Sequence, residues 1–193
     1  MKSHARVVVI GGGVVGVSTL YHLAKKGWSD VVLVERKELT SGSTWHAAGL
    51  LPLFNMSYSV GQIHKYSVKF YQELQEETGM DVGFRNVSNI RLASNQDRMD
   101  EFRQYAGVAS TIGVQVDFLT PEQVLDYWPM ANIEGLVGAI RHPQDGYIQP
   151  ADLTQALARG ARDRGAEIYR NTVVTAITRS DDGLWIVSTD KGD

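Results

Sequence analysis

From Arg6 to Ile10 the chain runs through β-branched residues with no polar break between Val7 and Ile10, the pattern of a short strand buried on both faces. Val14, Val17, Leu20, Leu23 and Ala24 then recur at helical spacing, which predicts an amphipathic helix closed by Gly27. D-V-V-L-V-E, Asp30 to Glu35, predicts a second buried strand. Strand, helix and strand at this spacing make one βαβ unit, whose crossover is right-handed on general grounds. From Thr40 to Gln62 no period holds, and a long loop or a set of short turns is expected. A helix follows, with its stripe at Ile63, Tyr66, Phe70 and Leu74 and its stop at Gly79.

Ile90 and Leu92 mark a strand, and Met99, Phe102, Ala106 and Ala109 a helix ended by Gly113. Val114, Val116 and Phe118 alternate as a half-buried strand. Thr120-Pro121-Glu122-Gln123 supplies a capping residue, a first-turn proline and a return partner, which is a helix start. Leu136 to Arg141 reads as another strand. After D-G-Y-I-Q-P, Asp145 to Pro150, the α/β rhythm returns. Leu153, Leu157 and Ala161 form a helical stripe capped by Gly165, and Ala166 to Tyr169 is a short strand. Two further strands, Val173 to Thr178 and Leu184 to Thr189, flank the hairpin signal Asp181-Asp182-Gly183. Asp190-Lys191-Gly192-Asp193 again looks like a turn, so the chain is expected to be the front part of a longer protein.

Composition narrows the classes. At 193 residues and 43% hydrophobic, the chain suits one compact domain or slightly more. A net charge of −3 without a basic run makes nucleic acid or an anionic membrane surface a poor partner. The absence of cysteine excludes disulfides, thiolate catalysis and cysteine-ligated metal. Only four apolar residues precede the first glycines, too few for a signal core, so a cytoplasmic protein without a transit segment is expected. His4, His22, His64 and His142 show no metal-ligand spacing, and no metal is expected. Asp145 and Asp152, on either side of Pro150, are explained by turn and capping roles. Tyr58, Tyr66 and Trp128 suit a core better than a pocket lining.

The chemistry lies at the first strand–helix junction. Gly11, Gly13 and Gly16 satisfy G-x-G-x-x-G between a strand and a helix. The first glycine lets the chain turn, the second lets backbone N–H groups meet a pyrophosphate, and the third lets helix and strand pack closely. The helix N-terminus then faces the phosphates with its positive end. Glu35 ends the second strand, where it can accept hydrogen bonds from an adenosine ribose. The motif defines a dinucleotide site without choosing between NAD and FAD.

The segment E-R-K-E-L-T-S-G-S-T-W-H-A-A-G-L-L, Glu35 to Leu51, resembles the dimethylglycine and sarcosine dehydrogenase family of flavoproteins, within the wider D-amino-acid-oxidase-like group. The resemblance continues through I-H-K-Y-S-V-K-F-Y-Q-E-L-Q-E-E-T-G-M-D-V-G-F, D-G-Y-I-Q-P-A-D-L-T-Q-A-L-A-R-G-A-R and N-T-V-V-T-A-I, so it covers essentially the whole chain. It implies FAD as cofactor, bonded through its 8α-methyl carbon to His46, whose neutral imidazole is a suitable nucleophile. Gly42, Ser43, Thr44, Ala47, Ala48 and Gly49 are small enough to let the backbone pass close to the cofactor and offer N–H donors, with Trp45 in the same cofactor-binding string. The resemblance also places Val14 and Val15 over the phosphates, Arg36 after the ribose acid, Val174 at the adenine edge and Leu50 on the stretch toward the flavin ring. One position departs from the family pattern: Gln149 stands where an acid usually precedes the proline.

The expected class is therefore α/β. A Rossmann-like FAD-binding domain, residues 1–81 and 143–193, is interrupted by an α+β substrate-side cap, residues 82–142, and both are incomplete. The resemblance implies an FAD-dependent oxidoreductase that moves a hydride from an N-methylated glycine derivative, a small amine, to flavin. An electron acceptor, a flavoprotein or oxygen, then takes the electrons. Catalytic residues are expected beyond residue 193, and tetrahydrofolate belongs only to a folate-binding part of the full-length protein. The alternatives are a non-catalytic regulatory subunit like the regulator of pyruvate dehydrogenase phosphatase, or a related amine or D-amino-acid oxidase. An NAD-dependent dehydrogenase is a third, and it leaves the string from residue 40 to 50 without a purpose.

Overall fold

A computed structural model describes residues 1–192. The elements in chain order begin with β1 (Val7–Ile10), α1 (Val14–Lys25), β2 (Val31–Val34), a 3-10 turn (Ser43–His46) and β3 (Leu50–Leu51). They continue with α2 (Tyr58–Thr78), β4 (Arg85–Asn86), β5 (Asn89–Ala93), α3 (Gln96–Ile112), β6 (Asp117–Leu119) and α4 (Pro121–Val124). The last are β7 (Gly138–His142), β8 (Gly146–Tyr147), α5 (Pro150–Arg162), β9 (Glu167–Tyr169), β10 (Val174–Arg179) and β11 (Trp185–Thr189).

The chain divides into two compact units: residues 1–48, 73–83 and 149–193 form the first, and residues 49–72 and 84–148 the second. In the first unit β1, β2 and β9 form a parallel sheet in that order. β2 is buried along its whole length, as its unbroken V-V-L-V requires. α1 buries Val17, Leu20, Tyr21 and Ala24, and packs with α5, which buries Leu153, Ala156, Leu157 and Ala161. Gly160 sits at that contact, where an added methyl carbon would come 2.7 Å from the Tyr21 ring. Past α1, Gly27 takes a φ of +80°, and the N–H of Trp28 reaches back to the Leu23 carbonyl at 3.1 Å, a glycine-closed helix end. β10 and β11 form the expected antiparallel hairpin.

The second unit holds an antiparallel sheet, β5-β7-β6, and a smaller one, β3-β8-β4. Ile90 to Ala93 thus pair antiparallel with β7 and stand outside the parallel sheet. α3 buries Met99, Phe102, Tyr105, Ala109 and Ile112 against Leu53, Ala93 and Ile140. Residues 49–72, grouped with the nucleotide-binding segment by sequence pattern, pack here, because Leu53, Phe54 and Val68 join this core.

Three local expectations need correction. α2 begins at Tyr58 instead of after Gln62, and its first turns expose Tyr58, Ile63 and Tyr66. Trp128 is likewise exposed and belongs to no core. Val114 and Val116 lie outside any strand; only Asp117–Leu119 finds a partner, on β7. The Thr120–Gln123 capping box forms as expected, yet α4 is a single turn.

Candidate functional site

The glycine turn is built by short-range steric demands. Gly11 takes a φ of +110°, a conformation that L side chains rarely adopt, and its N–H donates to the Val34 carbonyl at 2.9 Å. At Gly16 an added methyl carbon would lie 2.0 Å from the Gly11 carbonyl oxygen, so the third glycine permits the approach of α1 to the turn. Gly12, a free position of the motif, is equally constrained: the same carbon there would lie 2.6 Å from Leu39 and 2.9 Å from Glu35. No spacing rule marks Gly12; its constraint comes from chain that lies 23 residues further on.

Glu35 lies against this turn. Its Oε2 accepts the Gly12 N–H at 2.6 Å and its Oε1 the Lys37 N–H at 2.8 Å. Each carboxylate oxygen keeps a second lone pair, so the group can still receive a ribose hydroxyl. Arg36 is exposed beside it. The N–H groups of the first turn of α1 have no intrahelical acceptors. One is taken: the Val14 N–H donates to Thr44 Oγ1 at 2.9 Å. Gly13 comes within the same reach, since a methyl carbon there would be 3.0 Å from Thr44 Oγ1. Val15 is 78% exposed at the helix start. The buried Thr44 thus fastens the small-residue loop to the glycine turn, a role the sequence pattern did not distinguish from that of its neighbours.

Around that anchor Ser43–His46 makes one 3-10 turn, with the Ala47 N–H on the Thr44 carbonyl at 3.2 Å. Gly42, Ser43, Trp45, His46, Ala47 and Ala48 are all exposed. His46 Nδ1 lies 3.1 Å from the Gly42 carbonyl oxygen. A carbonyl only accepts, so Nδ1 is the nitrogen that donates here, and in the neutral ring the lone pair then lies on Nε2. The Trp45 indole lies against the imidazole, centroids 4.1 Å apart and planes 37° apart. Val174 opens β10, half-buried, in register with Thr189. Gly49 and Leu50 belong to the second unit, where Gly49 takes a φ of +72° and its carbonyl accepts the Ile148 N–H at 2.8 Å. These donors, glycines and the strand-end acid suit a dinucleotide, and the small turn with its single imidazole suits a flavin.

A separate polar cluster lies in the second unit. Asp145 Oδ1 accepts the Leu53 N–H at 2.9 Å, and the Tyr105 hydroxyl donates to the Leu53 carbonyl at 3.0 Å. Both backbone groups of one residue are thereby held by buried side chains. His142 is fully buried against Tyr105 and Phe54, with neither ring nitrogen hydrogen-bonded. Burial, reinforced by the Arg91 charge, pushes His142 down to about 4. Burial pushes Asp145 up to about 6, against the pull of the Leu53 N–H and Arg91. Asp145 is thus a backbone clamp, beyond the turn role that sequence suggests. Among the described residues no group of three or more His, Cys, Asp or Glu side chains could hold a metal, and no helix is long and apolar enough to cross a membrane.

A parallel sheet with a glycine turn, a strand-end acid and an insertion carrying its own antiparallel sheet defines a dinucleotide-binding fold, and the family match assigns it to the FAD-dependent oxidoreductases. The family model for FAD dependent oxidoreductases known as DAO matches residues 6–193, and the chain belongs to that family. Human mitochondrial dimethylglycine dehydrogenase is 44% identical over 191 residues, 99% of this chain. Human mitochondrial sarcosine dehydrogenase is 40% identical over 178 residues, 92% of this chain. Of their own lengths, this chain spans 22% and 19%. The crystal structure of L-proline dehydrogenase from P. horikoshii matches with a TM-score of 0.92 at 27% identity, covering all of this chain and 50% of that one.

Proposed function

We propose that this chain is the dinucleotide-binding part of an enzyme that oxidises the C–N bond of an N-methylated glycine derivative, of the dimethylglycine or sarcosine class, with FAD bonded to His46. The names of the two dehydrogenases, at 44% and 40% identity, support the substrate class. One observation carries the tether: Nδ1 faces the Gly42 carbonyl, so in the neutral ring Nε2 is the nucleophilic nitrogen.

When bound, the flavin accepts the hydride from the substrate carbon next to nitrogen. The residues of this chain bind and orient. The first-turn N–H groups of α1 hold the pyrophosphate, Glu35 receives the ribose, and Val174 lies at the adenine edge. Thr44 keeps the small-residue loop on the glycine turn, so that the imidazole two residues on is carried by an anchored turn. An electron acceptor completes turnover, and tetrahydrofolate enters only where the full-length protein has a folate-binding part.

The test is acid precipitation of the flavin-loaded protein. Flavin absorbance is expected to stay with the pellet, and His46→Ala is expected to release it to the supernatant while the fold persists. Wild-type protein with all its flavin in the supernatant overturns the tether.

A further inference from the structure

The proposed tether uses His46 as nucleophile, Thr44 as anchor and the small residues as clearance, and leaves Trp45 without a task. A loop that needed only to be small would not carry an indole, still less one that is 61% exposed. The indole is in contact with one thing that matters to the tether, the imidazole, at a centroid distance of 4.1 Å. His46 is itself exposed on a single 3-10 turn, where its two side-chain torsions would otherwise be free. Two contacts limit them: the Gly42 carbonyl takes the Nδ1 hydrogen, and the indole covers one face of the ring. The Gly42 bond uses Nδ1 and leaves Nε2 to another partner. A tilted pair is favoured over a face-to-face sandwich of two aromatic rings.

We infer that Trp45 is a positioning residue for the attachment step: it holds the His46 imidazole in one orientation and one tautomer, with Nε2 presented to the flavin 8α-methyl carbon. The inference rests on the tether proposed above. In that step the Nε2–C8α bond forms and one 8α C–H bond breaks. Two protons leave, one from the methyl and one from the imidazole, and the electron pair stays on the flavin ring until dioxygen reoxidises it. Trp45 touches none of the reacting atoms; it acts through the imidazole.

Two measurements on the full protein test this. First, apoprotein is mixed with FAD, and acid-stable flavin is followed in time for wild type, Trp45→Ala, Trp45→Leu and Trp45→Phe. Loss of the ring contact is expected to slow attachment about fivefold in the Ala and Leu variants. Phe is expected to restore the rate to within about twofold, since it keeps a flat face. Attachment is followed at saturating FAD, so that any change in reversible affinity stays out of the rate. Attachment at the wild-type rate in Trp45→Ala and Trp45→Leu, or Phe as slow as Ala, overturns the inference. Second, the 15N shifts of His46 in apoprotein are expected to report a single Nδ1-protonated tautomer in wild type and a mixture in Trp45→Ala and Trp45→Leu. Equal tautomer populations in all of these overturn the inference whether or not any flavin is ever bonded. A wild-type protein that shows the tautomer difference but never bonds flavin overturns the tether alone.

Discussion

Gly16 faces the Gly11 carbonyl with no space for another carbon, and the obstacle is backbone, which cannot swing aside. Gly16→Ala is therefore expected to cost about 3 kcal/mol of stability, read as a lower urea midpoint, and to reduce FAD binding with it. A variant with wild-type midpoint and affinity would contradict the packing described. The buried pair in the second unit has its own signature. Neutral His142 favours the folded state, so its contribution is present above pH 6.5 and is lost as pH falls toward about 4. Asp145 works the other way: its folded form binds the proton more tightly, so its contribution is lost as pH rises from about 4 to about 6. Each amounts to roughly 3 kcal/mol across its window, and over pH 4 to 6 the two slopes oppose. Asp145→Asn is expected to unmask a stability that falls with acid, and His142→Phe one that rises; identical pH profiles for both would refute the assignment. The glycine turn was legible in sequence, because local spacing defines it, whereas His46 was singled out by resemblance and by no spacing rule. Gly12 and Asp145 were not legible in either way. Their roles come from contacts with distant chain, the Leu53–Asp145 bond spanning 92 positions.

Helices and strands were read well wherever their own pattern carried the decision, and less well where a neighbour did. β2, α1, α3 and α5 follow from unbroken or periodic apolar positions. Val114 and Val116 alternate as a strand should, but the chain offers them no partner, and a strand without one does not form. α2 was dated too late because its first turns bury Gly61 and no large apolar side chain, and so show no stripe. The capping box at Thr120 starts α4 correctly, and Pro129 lies soon after to prevent its extension. The contact of α1 with α5 also lies outside what pattern can show. Gly160 is neither a cap nor a turn; it is the gap into which the Tyr21 ring fits. Gly160→Ala is expected to improve local helix propensity and still lower stability, by about 1–3 kcal/mol, because the ring must move. Thermal denaturation decides it, since a raised Tm would mean that the helices can separate at little cost.

For the molecule as a whole, family and fold class were legible from end to end, while the assignment of chain to units was not. Residues 49–72 leave the first unit and 73–83 return to it within one helix, a division made by nonlocal packing and by no change in composition. The same threading has a consequence in time. β1 and β2 can meet across α1 alone, but β9, which pairs with β2, arrives only after the whole second unit has been synthesised. Glu38 and Asn171, side chains bonded just past those strands, are 133 positions apart. Closing so long a loop costs about 1.5 kcal/mol more than closing the β1–β2 connection, and the cost falls before any of the pairing is gained. Refolding from denaturant should therefore be two-paced. In pulse-labelled hydrogen exchange, the amides of α3 and of β5 and β7 are expected to be protected first. The Glu35 N–H, which reaches across to the Tyr169 carbonyl, is expected among the last. Simultaneous protection of both sets would show that the sheet does not wait for its third strand. If it does wait, a nascent chain that has made the glycine turn and His46 still holds an unfinished cofactor site, and flavin cannot be captured until the ribosome has travelled well past Tyr169.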